Sequence, residues 1–208
     1  NPTGATEDLA SAAVDFEIQS GDFDYSKNII SGIDAPTGAE FKFTTGYRNY
    51  KEALHSETDD ASQARDCLGQ QPSETLIENN FVLKTATNEL HCAGSNKTAQ
   101  PVVEKVANFQ VRYLVQENPA GGGVFDLGVA SAVGAKWGSV QAVEVCLVLY
   151  GNEPIDMPTD GSSTYTDCDG TTKVDMTKLT GERARRMHLT FRNVFQLRSQ
   201  GLIGSGAL

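Results

Sequence analysis

The chain has 208 residues, of which 39% are hydrophobic, and 17 basic against 27 acidic residues give it a formal net charge of −10. This length is sufficient for one large or two small domains with a substantial core. The acidic balance argues against nucleic acid as a partner of this chain alone, because phosphate binding requires a concentrated positive surface.

The first half of the chain predicts strands and irregular connections. Residues 1–40 are rich in Gly, Ser, Thr, Asp and Ala and predict an irregular region, with one short ordered element at 10–18. Alternating apolar and polar residues over 41–48 predict a half-buried strand. Residues 81–92 predict a hairpin around the turn 86–88, and 109–116 predict a further strand.

The second half predicts a central strand, a loop and a closing strand. Residues 126–136 favour a short helix with Asp126 as its cap, and Trp137 is expected to plug the core. The run 140–150 is apolar on both faces, as in a central strand. In the closing strand, apolar residues alternate with polar ones that include His188, and Asn193 marks a candidate bulge.

Together these elements predict a single domain over 1–208. It is expected to begin with an irregular region (1–40) and a main sheet (41–150). A long loop (151–182), a closing strand (183–200) and a flexible tail (201–208) are expected to follow. No apolar run reaches the roughly 18 residues that span a bilayer, and no signal peptide stands at the start.

The four cysteines fall into two couples that are close in sequence. None has the short Cys-x-x-Cys type of spacing that a tetrahedral zinc site requires. They therefore predict two local disulfides, Cys67–Cys92 and Cys146–Cys168, and folding in an oxidising compartment. Four reduced, buried thiols in a cytosolic protein are the alternative.

Candidate catalytic chemistry is sparse. The chain has three histidines, His55, His91 and His188, and none belongs to a recognisable catalytic or phosphate-binding motif. We therefore predict no catalytic residue, no metal and no cofactor, although a triad can assemble from distant residues. The run Asp167–Gly170 offers oxygen ligands of the kind calcium prefers. Its spacing does not fit an EF-hand, and Asp and Gly are common turn formers, so a turn is favoured and calcium binding stays open.

Charge is distributed unevenly along the chain. From Lys178 onward there are six Lys or Arg against Glu182 alone, which gives this end a net charge of +5. Arg185, Arg186 and Arg192 are candidate docking residues for an acidic partner. The alternative is that they keep a solvent-exposed strand edge from pairing with another chain.

Several short motifs in fixed order resemble PilW-type minor pilins over residues 41–200. They are Asp66-Cys67-Leu68-Gly69, Asn80-Phe81-Val82-Leu83, Glu89-Leu90-His91-Cys92, Pro101–Val106 leading to Phe109–Tyr113, Trp137–Leu147 and Arg185–Arg198. The resemblance implies an α+β, pilin-like head with an antiparallel sheet, short helical segments, long loops and two disulfides. It also implies a long N-terminal hydrophobic helix, which this chain lacks, so one sheet face should be apolar and accessible.

The resemblance further implies a role in assembly rather than catalysis. A minor pilin would take part in the priming and tip complex that initiates a type IV pilus, with other minor pilins, the major pilin and a tip-associated adhesin as partners. Its membrane contact would come only through the N-terminal helix. The expected location is the cell envelope of a Gram-negative bacterium, with a periplasmic head before assembly and an extracellular pilus afterwards. A minor pseudopilin of a type II secretion system and an extracellular adhesin or binding module are the alternatives.

Overall fold

The computed structural model describes residues 21–52, 55, 60–95, 98–116 and 125–197, and within them antiparallel strands dominate. Two short helices are α1 (Tyr25–Asn28) and α2 (Ala130–Val133). The strands, in chain order, are β1 (Ile30–Gly32), β2 (Phe43–Arg48), β3 (Leu76–Lys84), β4 (Glu89–Ala93), β5 (Ala99–Val103), β6 (Val106–Gln116), β7 (Phe125–Gly128), β8 (Val140–Pro154), β9 (Thr164–Thr166), β10 (Lys173–Asp175) and β11 (Arg186–Gln196).

The predicted α+β class is correct only in part. Each of these two helices has 4 residues, so the described chain is mostly antiparallel β-sheet. None of its described helices is long and apolar enough to cross a membrane. The predicted ordered element at 10–18 and the predicted tail at 201–208 lie outside the described residues.

Strands β1 to β5 form an antiparallel sheet in the order β1-β2-β3-β4-β5. The predicted hairpin is confirmed as β3 and β4, and Asn88 in its turn has a φ of 54°, a left-handed conformation that asparagine tolerates better than most residues. Phe43 of β2 stacks on Phe81 of β3, with ring centroids 6.0 Å apart. Strand β1 lies in the region predicted to be irregular. It was not predicted because three residues are too few to show an alternating pattern.

A second antiparallel sheet has the order β11-β8-β6-β7. The predicted central strand at 140–150 is confirmed as β8, which lies between β11 and β6 and continues to Pro154. The predicted bulge at Asn193 is wrong, because Asn193 pairs regularly with Val145. The register shifts instead between Arg186 and His188.

The predicted helix at 126–136 is also wrong over its first part. Residues 125–128 form β7, which pairs with β6, and only Ala130–Val133 is α-helical. Asp126 therefore belongs to a strand, and the N-cap position of the helix is Val129. The backbone N–H groups of Ala130 and Ser131 donate instead to the carboxylate of Asp34, at 2.7 and 3.0 Å. A cap from almost 100 residues away leaves no local signal in the sequence.

Both sheets contribute to one hydrophobic core. Phe43 and Leu90 of the first sheet share it with Phe109 and Tyr113 of β6, and all four are buried. The ring of Trp137 meets Tyr113 edge to face, with centroids 5.0 Å apart, which confirms the prediction that Trp137 plugs the core.

The other face of β8 is covered by the chain that follows it. In place of one long loop over 151–182, this segment contains β9, β10 and two 3₁₀ turns. Its side chains Met157, Tyr165 and Met176 form a second core with Val148. The segment is therefore a packed layer, held to β8 by apolar contacts.

His188 is buried within this layer, although the alternation pattern placed it among solvated polar residues. It is 2% exposed and lies between the rings of Tyr165 and Tyr150, with centroids 4.9 and 5.5 Å away. The Nε2 atom of His188 lies 3.3 Å from Nε of Arg183 and accepts a hydrogen bond from it, because a guanidinium can only donate. The Nδ1 atom of His188 donates a hydrogen bond to the Arg186 carbonyl. Burial lowers the pKa of His188. The hydrogen bond to the Arg186 carbonyl acts in the opposite direction and offsets part of this shift.

Candidate docking surface

The most unusual surface of the described chain is one face of the edge strand β11. Its alternate side chains Met187, Leu189, Phe191 and Phe195, which we call the β11 apolar face, are 46 to 55% exposed. Side chains two residues apart on a strand point to the same side. The sequence predicted this alternation, and the resemblance to minor pilins implied an accessible apolar sheet face. In the described structure, exposed apolar side chains line one side of β11.

The β11 apolar face continues an apolar surface that is buried further into the sheet. Leu189, Phe191 and Phe195 lie opposite Leu149, Leu147 and Val143 of β8. The next residues across, on β6, are Val106, Phe109 and Tyr113, all of them buried. The first sheet packs against the β6 end of this apolar surface, in the shared core. The exposure of the apolar side chains therefore increases from β6 toward β11.

The outer edge of β11 is the second feature of this surface. Within the described chain, β11 pairs as a strand with β8 alone, so its second edge has no strand partner. Unpaired edges can bind another element and are normally protected. The β11 apolar face and this edge together make a surface suited to contact with another protein element.

The three arginines predicted to dock a partner have partners within the chain. Arg185 pairs with Asp156 at 2.6 Å, and Arg186 donates to the carbonyl oxygens of Gly151 and Asn152. Arg192 donates to Glu144 at 3.0 Å and to the Cys168 carbonyl at 2.7 Å. Their docking role stays a prediction, and Arg192 in particular has a structural role.

Both predicted disulfides are present. Cys67 pairs with Cys92 of β4, and Cys146 of β8 pairs with Cys168, at Cα–Cα distances of 6.5 and 5.7 Å. All of the cysteines are thus bonded. Each sheet is joined by one disulfide to a turn outside it. The disulfide restricts the motion of that turn.

The two turns are alike in sequence and structure. Both read Asp-Cys-x-Gly, at 66–69 and 167–170, and in both the glycine N–H donates to the aspartate carbonyl, at 2.9 and 3.0 Å. Gly69 and Gly170 have φ values of 75° and 78°, which favour glycine. The sequence interpretation missed this repeat, although the recurring Asp-Cys-x-Gly could have revealed it.

The acidic run at 167–170 forms the predicted turn. Hydrogen bonds from the Thr172 hydroxyl and from the backbone N–H groups of Thr171 and Thr172 lower the pKa of Asp169 to about 2. Asp167 accepts a hydrogen bond from the Asn108 amide at 2.7 Å. Among the residues that the structure describes, no cluster of three or more His, Cys, Asp or Glu side chains could hold a metal ion.

Comparison with known proteins agrees with the predicted family. The model of the family "Type IV Pilus-assembly protein W" matches residues 74–199. A solved structure similar to this chain is the type IV-like pilin TTHA1219 from Thermus thermophilus. It has 13% sequence identity and a TM-score of 0.39, over 83% of this chain and 84% of that chain. No curated protein matches. Since the family model matches more than half of the chain, the chain belongs to the type IV pilus-assembly protein W family.

Proposed function

We propose that this chain is the head of a minor pilin that acts in the priming and tip complex of a type IV pilus. Family membership supports a role in pilus assembly and a place in the cell envelope or the extracellular pilus. The proposed partners are other minor pilins, the major pilin and a tip-associated adhesin. The host would be a Gram-negative bacterium, and the head would be periplasmic before assembly.

The β11 apolar face is the observation that carries this proposal. Large apolar patches on the surface of a soluble protein commonly mark an interaction site. Complete burial of a Leu, Phe or Met side chain contributes about 1.5–3 kcal/mol, and four such side chains are half exposed here. Covering them would therefore supply a substantial part of a docking free energy.

The occupant that we propose is a hydrophobic helix of a pilus subunit. A sheet face is buried by another sheet or by the apolar stripe of a helix. The resemblance to minor pilins implies that each subunit of the filament has such a helix. The five alternate positions from 187 to 195 extend over about 26 Å of strand, which corresponds to about 17 residues of helix.

In this mechanism the head acts by fitting against its neighbours and not by a chemical reaction. The disulfides Cys67–Cys92 and Cys146–Cys168 hold the turns against the two sheets. A rigid surface loses less conformational entropy on binding than a flexible one. This rigidity suits a subunit that must present the same contact surface each time a filament begins.

Two substitutions on the β11 apolar face test the docking function. In the double variant Leu189→Asp and Phe191→Asp, we expect the affinity for the purified minor pilins to fall at least about 100-fold, because two charges replace buried apolar contacts. The variant should still fold, since both side chains are more than half exposed. Pull-down with purified partners, together with pilus counts after complementation, measures the effect.

Val194→Asp is the matched control. Val194 is 57% exposed on the same strand but points to the opposite side of the sheet from Phe191 and Phe195. It should retain the binding and the piliation of the unsubstituted chain. Unchanged affinity of the Leu189/Phe191 double variant would contradict the proposed docking through this face. Binding of glycans or matrix without any pilus partner would favour an adhesin.

The arginines provide a second, electrostatic test of docking. Reversing Arg185, Arg186 and Arg192 to Glu is expected to weaken binding to the other minor subunits, and more strongly at low salt, because charge pairs steer association. Arg185→Glu alone is the clearest variant, since its partner Asp156 is fully exposed. Association rates at two salt concentrations measure this effect, with Lys27→Glu as a control of equal charge change. Equal rates for these two variants would contradict a docking role for Arg185.

A further inference from the structure

His188 is a buried histidine whose two ring nitrogens both have hydrogen-bond partners. Nδ1 donates to the carbonyl oxygen of Arg186 at 2.8 Å, and Nε2 accepts from Nε of Arg183 at 3.3 Å. Arg183 belongs to the segment 155–183 that packs on β8, which we call the covering layer. This arrangement requires a neutral imidazole, because a protonated ring is a donor at both nitrogens. A proton on Nε2 would face the N–H of a guanidinium, which cannot accept it.

The charged groups nearest to His188 oppose an added positive charge. Arg183 faces the ring from the covering layer, and Arg186 lies two residues away on β11, with its guanidinium 5.9 Å from the Tyr150 ring centroid. The carboxylate of Glu182 accepts a hydrogen bond from the Tyr150 hydroxyl at 3.2 Å, so its partner is that hydroxyl and not His188. A protonated His188 would therefore add a third positive charge to two arginines and one carboxylate, at a site with little access to water.

The other titratable groups of the covering layer and of β8 do not balance that charge. Burial raises the pKa of both tyrosines that enclose the His188 ring, so their hydroxyls stay neutral near pH 7. Asp167, which follows β9, accepts a hydrogen bond from the Asn108 amide at 2.7 Å. Asp175 and Lys178, at the first 3₁₀ turn, pair with each other at 3.2 Å.

The geometry points to His188 as a pH sensor, and we propose that its protonation releases the covering layer from β11. The residue is 2% exposed, so a charged ring reaches water only if the layer moves away from β8 and β11. The contacts that would separate include the His188 N–H with Met176 Sδ, at 3.3 Å, and the Thr190 hydroxyl with the Thr166 carbonyl. The disulfide from the layer to β8 would keep the released layer attached.

The direction of the pH effect follows from the surroundings of the ring. Burial is the largest cause that lowers the pKa of His188, and the charge of Arg183 lowers it further, whereas the bond to the Arg186 carbonyl raises it. A group whose pKa is lower in the folded state takes up its proton more readily when the chain is unfolded. The contribution of His188 to stability is therefore present above its ordinary value of 6.5 and is lost as the pH falls below it.

The sensor lies in the strand that carries the β11 apolar face. Met187 and Leu189 of that face flank His188, and the register of β11 with β8 shifts between Arg186 and His188. Release of the covering layer would leave this end of β11 supported by β8 alone. Binding of minor pilins should therefore weaken in acid, a consequence that rests on the proposed function.

NMR of the histidine rings and unfolding at two pH values test the sensor in the whole chain. We expect the His188 ring to be the Nδ1–H tautomer when neutral and to titrate below 6.5. From about pH 7 to about pH 5, the unfolding equilibrium constant should rise at least about fivefold more in the unsubstituted chain than in His188→Gln, which cannot take up the proton. Glutamine keeps one donor and one acceptor for the two arginine contacts. Over the same range, amides of β9 and β10 should lose hydrogen-exchange protection in the unsubstituted chain only.

His55→Gln is the matched control, because His55 is exposed and the variant should keep the full acid response. Arg183→Gln retains a donor for Nε2 without the positive charge and should raise the pH at which His188 titrates, and it serves where His188→Gln fails to fold. A His188 ring that titrates at or above 6.5, or equal acid responses of the unsubstituted chain and His188→Gln, would overturn the sensor. Acid opening of the layer in a chain that binds no minor pilin would support the sensor and contradict the proposed function, so the two proposals fail separately.

Discussion

Replacing Cys146 and Cys168 together by alanine is expected to lower the free energy of unfolding by about 3–5 kcal/mol. The two residues are separated by 22 positions, and a loop of that size contributes about 3 kcal/mol in the chain-entropy model. Both are buried in the second core beside Met157 and Met176, so loss of the sulfur atoms also leaves a small cavity. Equilibrium unfolding in urea measures the change.

The effect is large because a domain of this kind has only about 5–15 kcal/mol of stability in total. The Cys67/Cys92 double alanine variant is the matched comparison, since its separation of 25 residues gives nearly the same loop. Reduction of the unsubstituted chain with dithiothreitol removes both bonds without changing a side chain. A loss of less than about 1 kcal/mol in the Cys146/Cys168 variant would show that the covering layer is held by its apolar contacts alone.

Gly46→Ala is expected to destabilise the fold by at least about 2 kcal/mol. A Cβ at this position of β2 would lie 2.2 Å from the backbone carbonyl oxygen of Asn28 and 3.1 Å from Leu76 Cδ1. The Gly46 N–H donates to the Ile29 carbonyl at 3.0 Å, so the two backbones are held close together. A backbone oxygen cannot rotate away as a side chain can, and the chain must therefore shift. Thermal or urea unfolding measures the loss.

Gly138→Ala controls for the general effect of adding a methyl group. Among the described residues, no atom beyond its immediate neighbours in the chain lies within 4 Å of a Cβ at Gly138, and its φ is not in the left-handed region. That variant should be neutral or slightly stabilising, since alanine restricts the unfolded chain more than glycine does. Equal stabilities of the two variants would mean that β2 and the end of α1 approach each other less closely than the structure shows.

The sequence predicted those elements whose pattern is local and repeated. The hairpin of β3 and β4, the central strand β8 and the closing strand β11 follow from alternating residues and turn formers. The helix at 126–136 failed because Gly128 and its neighbours pair with β6 as β7, a partnership between distant segments. The docking role of the arginines was a prediction from charge alone, and charge does not show which partners a guanidinium already has.

By itself, the sequence determined the alternation of the strands, the pairing of the cysteines and the family, since all of these depend on short motifs in order. Only the tertiary structure decided which apolar faces are covered. Phe109 and Phe191 occupy the same kind of position in alternating strands, yet Phe109 is 4% exposed and Phe191 51%. The physical reason is that an alternating pattern fixes the side of the sheet to which a residue points, whereas its burial depends on whether another part of the chain packs there.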